Sequence, residues 1–369
     1  MRIAVLGTRG VPSGYSGYEV FVEEIGWRFV EKGHEVTIYA HSHLFKDRLK
    51  RYRGMRIRYV PSLKGKNTSQ FSHSLLSTIL VCVSDADVVL FCNASNGPFG
   101  LFLKAFQKKC AINVNGLEWK RPKWGALAKA YFRFGARCAS LFFDAVVTDA
   151  MGMQAAYWKE FGVRSVDIAY GANIWHSKNP ERVKKLGLEP QGYYLIASRL
   201  VPDNNADLIV KAFVQSISKR TLAIAGGAQY KNPFEAAIRK MADHRVMFLG
   251  HIDDSDLIAE LHCNAYAYIH GHEFGGTNPA LLKGLAYGNC ILALNTVFNR
   301  EVLEDGEHGI LFEKNVSALK GAIEAVDCNA ELAESYRAKS RDRIRERYTW
   351  EIITAQYEDL FTTLHRLPS

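Results

Sequence analysis

The segment from His270 to Gly288, HGHEFGGTNPALLKGLAYG, holds the residue types most suited to binding a phosphate. A short apolar strand precedes it, Gly275 and Gly276 predict a turn, and Pro279 is typical of a first helical turn, with Thr277 or Asn278 as N-cap. Free N–H groups and the helix dipole attract anions at such a junction. A glycine turn without a ligand has the same local pattern, so the prediction also depends on other motifs.

A second motif, ASRLVPDNNAD over residues 197–207, places Arg199 after a strand and Asn204 before a helix. A guanidinium there can grip a diphosphate through two parallel hydrogen bonds and stabilise it as it leaves. A structural salt bridge is the alternative for Arg199. Gly226 and Gly227 form a further turn at a strand end. These turns together favour a diphosphate ligand.

The first glycine-rich turn, residues 7–19, lacks the G-x-G-x-x-G spacing of dinucleotide sites. The second predicted strand ends in Tyr39-Ala40-His41, so the usual position of an acidic ribose ligand, about 20 residues further on, is not acidic. The loop carries Arg9, Tyr15, Tyr18 and Glu19, which suit a polyhydroxylated or phosphorylated ligand better than a nicotinamide.

Short β-rich runs alternate with helical patterns along most of the chain, which predicts an α/β fold with doubly wound parallel sheets. The pattern restarts near residues 169–173, so we expect two consecutive units with a site at the carboxyl ends of their strands. The predicted domains are residues 1–170, residues 171–348 and a C-terminal helix, 349–369. We expect that helix to pack toward the first domain, while periodicity alone fits a surface helix on its own domain equally well.

The net charge of +9 is concentrated in residues 1–170, which hold 24 Lys and Arg against 13 Asp and Glu. A phosphorylated substrate or an anionic membrane surface suits such a half. Nucleic acid is the least favoured of the possible partners, because the sequence lacks the residue spacing of a zinc site and lacks an RNP motif. The seven scattered cysteines and the missing signal-peptide pattern predict a cytoplasmic protein with reduced thiols.

Five segments in order (1–24, 115–124, 168–172, 199–205 and 275–282) resemble the retaining nucleotide-sugar glycosyltransferases of family four, within them the branch often labelled rhamnosyltransferase. The resemblance implies a GT-B fold: two Rossmann-like domains facing an interdomain cleft, with acceptor bound by the first and nucleotide sugar by the second. It also implies a metal-independent transfer without cofactor. The His270-x-His272 pair is a weak alternative hint of metal.

Family four usually carries Glu-x7-Glu, but the aligned positions are Gly275 and Lys283; Glu273 lies two residues early. The resemblance, with these departures, assigns residues to three groups. The catalytic candidates are Arg199, Glu273 and Asn115. The donor-binding candidates are Gly10, Asn204, Gly226, Gly227, Gly275, Gly276, Thr277, Asn278 and Lys283. The acceptor-binding candidates are Arg9, Tyr15, Tyr18, Glu19, Glu118, Trp119 and Lys120.

The expected reaction moves a sugar, with rhamnose as the branch's candidate, to a cell-surface glycan or lipid-linked oligosaccharide. Residues 119–137 interleave bases with aromatics, which fits a helix lying on an anionic bilayer and, equally, a helix with an aromatic core side. The protein would then be peripheral on the inner face of the cytoplasmic membrane. Two other readings remain: a nucleotide-sugar-binding subunit that has lost catalysis, and a nucleotide-sugar epimerase.

Overall fold

The computed structural model describes residues 1–12, 17–65, 68–121, 124–227 and 233–367. The chain forms two compact units, Met1–Tyr170 with Trp350–Ser369, and Gly171–Thr349. Each contains one sheet with helices in the crossover connections. The predicted α/β class with two doubly wound sheets is confirmed.

The first unit has an eight-stranded sheet in the order β3-β4-β2-β1-β5-β6-β7-β8. All neighbouring strands are parallel except β3 and β4. Its elements are β1 (Arg2–Leu6), α1 (Gly17–Glu31), β2 (Glu35–His41), β3 (Arg51–Tyr52), β4 (Met55–Val60), α2 (Thr68–Cys82), β5 (Val88–Cys92), α3 (Gly100–Ala105), β6 (Lys109–Val114), α4 (Ala126–Phe142), β7 (Ala145–Thr148), α5 (Met151–Phe161) and β8 (Val166–Asp167).

The second unit has a parallel six-stranded sheet in the order β11-β10-β9-β12-β13-β14. The strand order reverses between β9 and β12. Its elements are α6 (Glu181–Lys184), β9 (Tyr193–Ala197), α7 (Ala206–Gln215), β10 (Thr221–Ala225), α8 (Pro233–Met241), β11 (Val246–Gly250), α9 (Ser255–Cys263), β12 (Ala267–His270), α10 (Pro279–Ala286), β13 (Cys290–Leu294), α11 (Val297–Val302), β14 (Ile310–Phe312), α12 (Val316–Cys328) and α13 (Ala330–Arg343).

The last helix, α14 (Trp350–Arg366), follows a π-helical turn at Ile344–Tyr348 and packs on the first unit. Inside that unit Asn113 Nδ2 donates to Tyr357 Oη at 2.7 Å, and the rings of Phe21 and Tyr357 lie 5.3 Å apart. Arg28 pairs with Glu351 at 2.9 Å. The open question about the C-terminal helix is thereby decided in favour of the first unit.

We predict α2 from Ser72, but it begins at Thr68, because its first turn consists of polar residue types that are also common in loops. The short antiparallel β3 is not predicted by periodicity at all. Among the described residues, no helix combines the length and apolar character needed to cross a bilayer.

Candidate functional site

Three turns of the second unit leave the carboxyl ends of adjacent parallel strands. Arg199 follows β9, Gly226 follows β10, and the segment from Gly271 to Asn278 follows β12. Because β9 and β12 flank the point where strand order reverses, this edge is where open α/β sheets bind ligands. The structure therefore brings the predicted phosphate-binding turns of the second unit to one sheet edge.

The turns after β9 and β12 are fixed to each other by two hydrogen bonds. Asn205 adopts the left-handed conformation (φ 53°), and its side-chain amide donates to the Gly271 carbonyl at 2.8 Å. The Glu273 N–H donates to the Asp203 carbonyl at 3.1 Å. A Cβ at Gly271 would lie 2.4 Å from the Asn204 carbonyl oxygen, so only glycine allows this approach.

Arg199 lies on the surface of this edge with an exposed side chain. No carboxylate of the described residues lies within the 4.0 Å of an ion pair with it. The salt-bridge alternative therefore gains no support from the described part of the chain. Asn204 is buried and donates its side-chain amide to the Arg199 carbonyl at 2.8 Å. Asn204 thus holds the backbone that carries Arg199, and the guanidinium is accessible to an anion.

Gly226 allows the turn after β10 to approach the strand β9. Its φ is 136°, and a Cβ there would lie only 1.9 Å from the Ser198 carbonyl oxygen. Ser198 in turn donates its N–H to the Ala225 carbonyl at 3.0 Å. The two turns therefore lie backbone to backbone beside Arg199, with Gly227 partly buried next to them.

The N-terminus of α10 is built as the sequence predicts, with Asn278 rather than Thr277 as N-cap. The Asn278 side-chain oxygen accepts from the Ala280 N–H at 2.9 Å, and Pro279 occupies the first turn. Gly276 and Thr277 are buried, and Gly275 has a φ of 129°. The cap uses the Asn278 oxygen, so a ligand here would meet backbone groups rather than that atom.

Glu273 forms an ion pair with Lys314 at 2.6 Å, just beyond the end of β14. Lys314 was not singled out by sequence reasoning, because the two residues are 41 positions apart. A hydroxyl group of a ligand that hydrogen-bonds to Glu273 would share the carboxylate with the Lys314 ammonium group. The nearby rings of His270 and His272 are stacked with centroids 4.4 Å apart.

Lys283 occupies an exposed position on α10, and desolvation by surrounding protein lowers the pKa of its amine. The buried His262 has its pKa lowered to about 3, mainly by burial and further by the charge of Lys283. An amine with a lowered pKa changes charge at a lower pH than an ordinary lysine. Lys283 is therefore a cation of α10 that titrates at a lower pH than an ordinary lysine.

In the first unit, the predicted loop residues hold one another. The Arg9 N–H donates to Glu19 Oε1 at 2.9 Å, and Glu19 is buried. Gly10 has a φ of 114°, and a Cβ there would lie 2.4 Å from the Ala40 Cβ. Tyr15 lies outside the described residues. Gly10 is thus needed for the close approach of its loop to β2.

Asn115, directly after β6, lies between two tyrosines of the first unit. Its N–H donates to Tyr18 Oη at 3.1 Å, and its side-chain amide donates to Tyr170 Oη at 2.9 Å. Burial raises the pKa of both phenols well above the ordinary value. Asn115 therefore has a structural role in addition to the catalytic role that remains a prediction.

The acceptor candidates Glu118, Trp119 and Lys120 form a 3₁₀ turn that is tied to α5 and to its own loop. Trp119 is only 8% exposed, and its indole N–H donates to Glu160 at 3.1 Å. Lys120 pairs with Glu160 at 3.0 Å, and Glu118 accepts from the Trp124 indole at 2.7 Å. Glu160 was missed, since a single Glu on a helix gives no sequence signal.

Two family descriptions match the chain. Residues 178–343 match Glycosyl transferases group 1, and residues 82–173 match a domain of unknown function, DUF1972. The first match covers the turns that carry Arg199, Gly226 and the start of α10.

Two named relatives are similar to part of the chain. An uncharacterised glycosyltransferase of Methanocaldococcus jannaschii is 26% identical over 45% of this chain and 44% of its own length. A phosphatidyl-myo-inositol mannosyltransferase of Mycobacterium leprae is 32% identical over 32% of each. The chain thus matches less than half the length of these relatives.

Solved structures share the fold across nearly the whole chain. Sucrose-phosphate synthase from Thermosynechococcus elongatus has a TM-score of 0.83 at 16% identity, covering 98% of both chains. Anabaena HepE in complex with UDP has a TM-score of 0.80 at 14% identity, covering 98% of this chain and 100% of its own. The chain therefore has the GT-B fold, and its residues 178–343 match the group 1 glycosyl transferases.

Proposed function

We propose that this chain is a glycosyltransferase that takes a sugar from a nucleotide-diphosphate sugar. The observation that carries the proposal is the exposed Arg199 guanidinium at the switch point of the second sheet, beside the Gly226 turn and the N-terminus of α10. The match of residues 178–343 to group 1 glycosyl transferases supports it. HepE, which shares the fold, was solved with UDP and with UDP-glucose.

The proposed donor site lies at the carboxyl edge of the second sheet. Arg199 holds the diphosphate by parallel hydrogen bonds, and the N–H groups at the start of α10 bind a second phosphate oxygen. Both contacts strengthen as negative charge develops on the departing diphosphate. Lys283 adds a further positive charge, and Asn204 positions the backbone of Arg199.

The proposed reaction retains the configuration at the anomeric carbon. The bond from that carbon to the diphosphate oxygen breaks, the bond to the acceptor oxygen forms on the same face, and the acceptor proton passes to the departing phosphate oxygen. Glu273, when released from Lys314, orients donor hydroxyls. The positive charge supplied by this edge leads us to propose that no metal or cofactor is required.

The finer assignment rests on resemblance to the rhamnosyltransferase-like branch of family four. On this basis we propose rhamnose as the sugar and a cell-surface glycan or lipid-linked oligosaccharide as the acceptor. The first unit would bind the acceptor at the inner face of the cytoplasmic membrane. The Arg9–Glu19 loop and the turn at Glu118–Lys120 would contact it. A nucleotide-sugar-binding subunit without catalysis is the second candidate, favoured by Lys283 and by the Glu273–Lys314 pair.

Thermal-shift measurements with UDP, GDP and dTDP and their sugars, with and without EDTA, test the donor site. A ligand that binds only the native state at a hundredfold excess over Kd stabilises it by about 2.7 kcal/mol. We expect one nucleotide to shift the melting temperature, and a cell-envelope extract then to receive the sugar. A shift without transfer would favour the binding subunit, and no shift would overturn the donor site. Loss of the shift in EDTA would overturn metal independence.

A further inference from the structure

Helix α2 buries polar side chains along most of its length, and only its last turn buries the apolar Val81 and Cys82. Its buried side includes His73, Ser74 and Thr78, whereas Phe71 and Ile79 are 50% and 49% exposed. A helix of a globular protein normally turns its apolar stripe to the core and its polar side chains to water. The helix contains no charged residue at all. Its outward side is therefore suited to an apolar environment.

Helix α4 carries a second outward apolar stripe. Leu127, Phe134 and Leu141 recur every seven residues, which places them on one side of the helix, and they are 89%, 55% and 55% exposed. Arg133 and Arg137 stand on the exposed surface beside this stripe. The buried side of α4 consists of small residues instead, namely Gly135, Ala136, Cys138 and Ala139.

Helices α2, α3 and α4 lie on the same side of the first sheet. Their crossovers run from β4 to β5, β5 to β6 and β6 to β7, in one direction across the sheet, and such crossovers are right-handed. Contacts join them: the Phe71 ring lies 5.3 Å from Phe99 at the start of α3, and Lys104 of α3 donates to the Leu141 carbonyl at 3.4 Å. We call the exposed side of α2, α3 and α4 the outer helical face.

The charges contributed by the helices of the outer helical face are all positive. The three helices contain no Asp or Glu, while α3 and α4 contribute Lys104, Lys129, Arg133 and Arg137, and Arg133 lies 3.8 Å from the Glu160 carboxylate of α5. On α3, Leu101 and Phe102 are 52% and 43% exposed. Exposed apolar side chains bordered by bases are the combination that binds the interface of an anionic bilayer. Scattered single apolar residues would need no explanation, but exposed apolar side chains on three neighbouring helices do.

We propose that the outer helical face docks on an anionic lipid bilayer, with the apolar side chains of α2, α3 and α4 entering the headgroup region. The bases of α3 and α4 bind the anionic headgroups. A second copy of this chain is a poorer occupant, because a two-fold contact through this face would bring the same bases against each other. The inference builds on the proposed lipid-linked acceptor, yet the docking itself is measured without donor or acceptor.

Co-sedimentation of the full chain with vesicles tests the docking. We expect binding to phosphatidylcholine vesicles that contain phosphatidylglycerol and much weaker binding to phosphatidylcholine alone. The double variant Leu127→Ser/Phe134→Ser is expected to bind at least roughly tenfold more weakly, since both side chains contribute apolar area. Its matched control is Ile217→Ser/Val297→Ser, which removes two apolar side chains of the second unit that are 70% and 58% exposed.

The charged part of the face is tested by Arg133→Gln/Arg137→Gln, with Lys211→Gln, an exposed base of α7, as control. We expect roughly a fivefold loss for each base at low salt, shrinking as salt is raised. Unchanged melting temperatures show that the variants fold.

Equal binding of wild type to both vesicle types, or wild-type binding by the face variants, would overturn the proposal. A dimer that dissociates in Leu127→Ser/Phe134→Ser would assign the face to a second copy. Loss of sugar transfer with intact vesicle binding would contradict only the proposed reaction.

Discussion

The two sheets arrange their first six parallel strands in the same order, but the carboxyl ends of these strands carry different chemistry. In each unit, the first strand lies next to the fourth of the parallel strands, counted along the chain. Turns that contain glycine follow the strands at this edge. In the second unit the edge carries Arg199, exposed and without a carboxylate partner among the described residues. In the first unit, Asn115 is held by Tyr18 and Tyr170. The same topology thus provides an accessible cation in one unit and an internally bonded surface in the other.

Replacement of Arg199 by Ala tests the accessible cation at the edge of the second sheet and has the largest expected effect. Turnover should fall on the order of 10²- to 10³-fold, as it does when one group that stabilises developing charge is removed. The measurement is transfer rate with the donor found by thermal shift. Lys211→Ala, another exposed base of the second unit, should retain wild-type turnover. Near wild-type turnover of Arg199→Ala with an intact fold would remove Arg199 from the mechanism.

Gly226→Ala tests whether the close turn beside Arg199 is required. The added Cβ would lie 1.9 Å from the Ser198 carbonyl oxygen at a φ of 136°, so the turn must move. We expect a loss of about 2–3 kcal/mol in stability, donor binding or both, measured by melting temperature and donor affinity. Gly321→Ala, in α12 with open space around it, is the matched control and should be neutral or slightly stabilising. A neutral Gly226→Ala would show that this turn tolerates displacement.

The titration of Lys283 should make the donor affinity of the second unit depend on pH. Because its amine has a lowered pKa, it is charged below that pKa and neutral above it. Donor affinity should therefore decline as pH rises through the lowered value, before an ordinary lysine would titrate. Lys283→Ala should weaken donor binding roughly tenfold at neutral pH, about 1.4 kcal/mol. Calorimetry across pH measures this.

Lys283→Arg is the matched variant for that titration, since a guanidinium stays charged. It should bind donor without the decline at high pH. A decline that persists in Lys283→Arg would assign the titration to another group, and an unaffected affinity in Lys283→Ala would place Lys283 outside the donor site.

Asn115→Ala tests the edge of the first sheet, where the side chains bond to one another, and has the smallest expected effect. Loss of its hydrogen bond to Tyr170 should cost about 1 kcal/mol of stability, seen as a lower melting temperature, while the donor-induced shift persists. Tyr170→Phe should cost a similar amount, and the double variant should cost less than the sum. If Asn115→Ala keeps its stability but loses turnover, Asn115 contacts substrate and the contrast between the two edges is wrong.

Local sequence patterns predicted most of the fold and the turns of the second unit. The strand-turn-helix signal at residues 265–287 was strong because β-branched and apolar residues, paired glycines, a capping Asn and Pro279 all indicate the same structure. The choice between Thr277 and Asn278 as cap needed the structure, because both residue types cap helices.

Partnerships between distant residues were not predictable from local pattern. Glu273 and Lys314 meet because β12 and β14 end on the same sheet edge. Trp119 packs against Tyr157 and Phe161 of α5, and its indole N–H donates to Glu160 of the same helix. The largely polar buried side of α2 also escaped, since a run of serines and apolar residues does not reveal which side faces the sheet. Such facts follow from tertiary packing, which a single sequence does not specify at this level.

Helix α14 completes the first unit with residues that follow the whole second unit in the chain. Its Tyr357 supplies the partner of the buried Asn113, and its Glu358 accepts from His34 at 2.8 Å. During synthesis the second unit, Gly171–Thr349, therefore emerges complete while the first still lacks a helix. The first unit can therefore be completed only after the whole second unit has been translated.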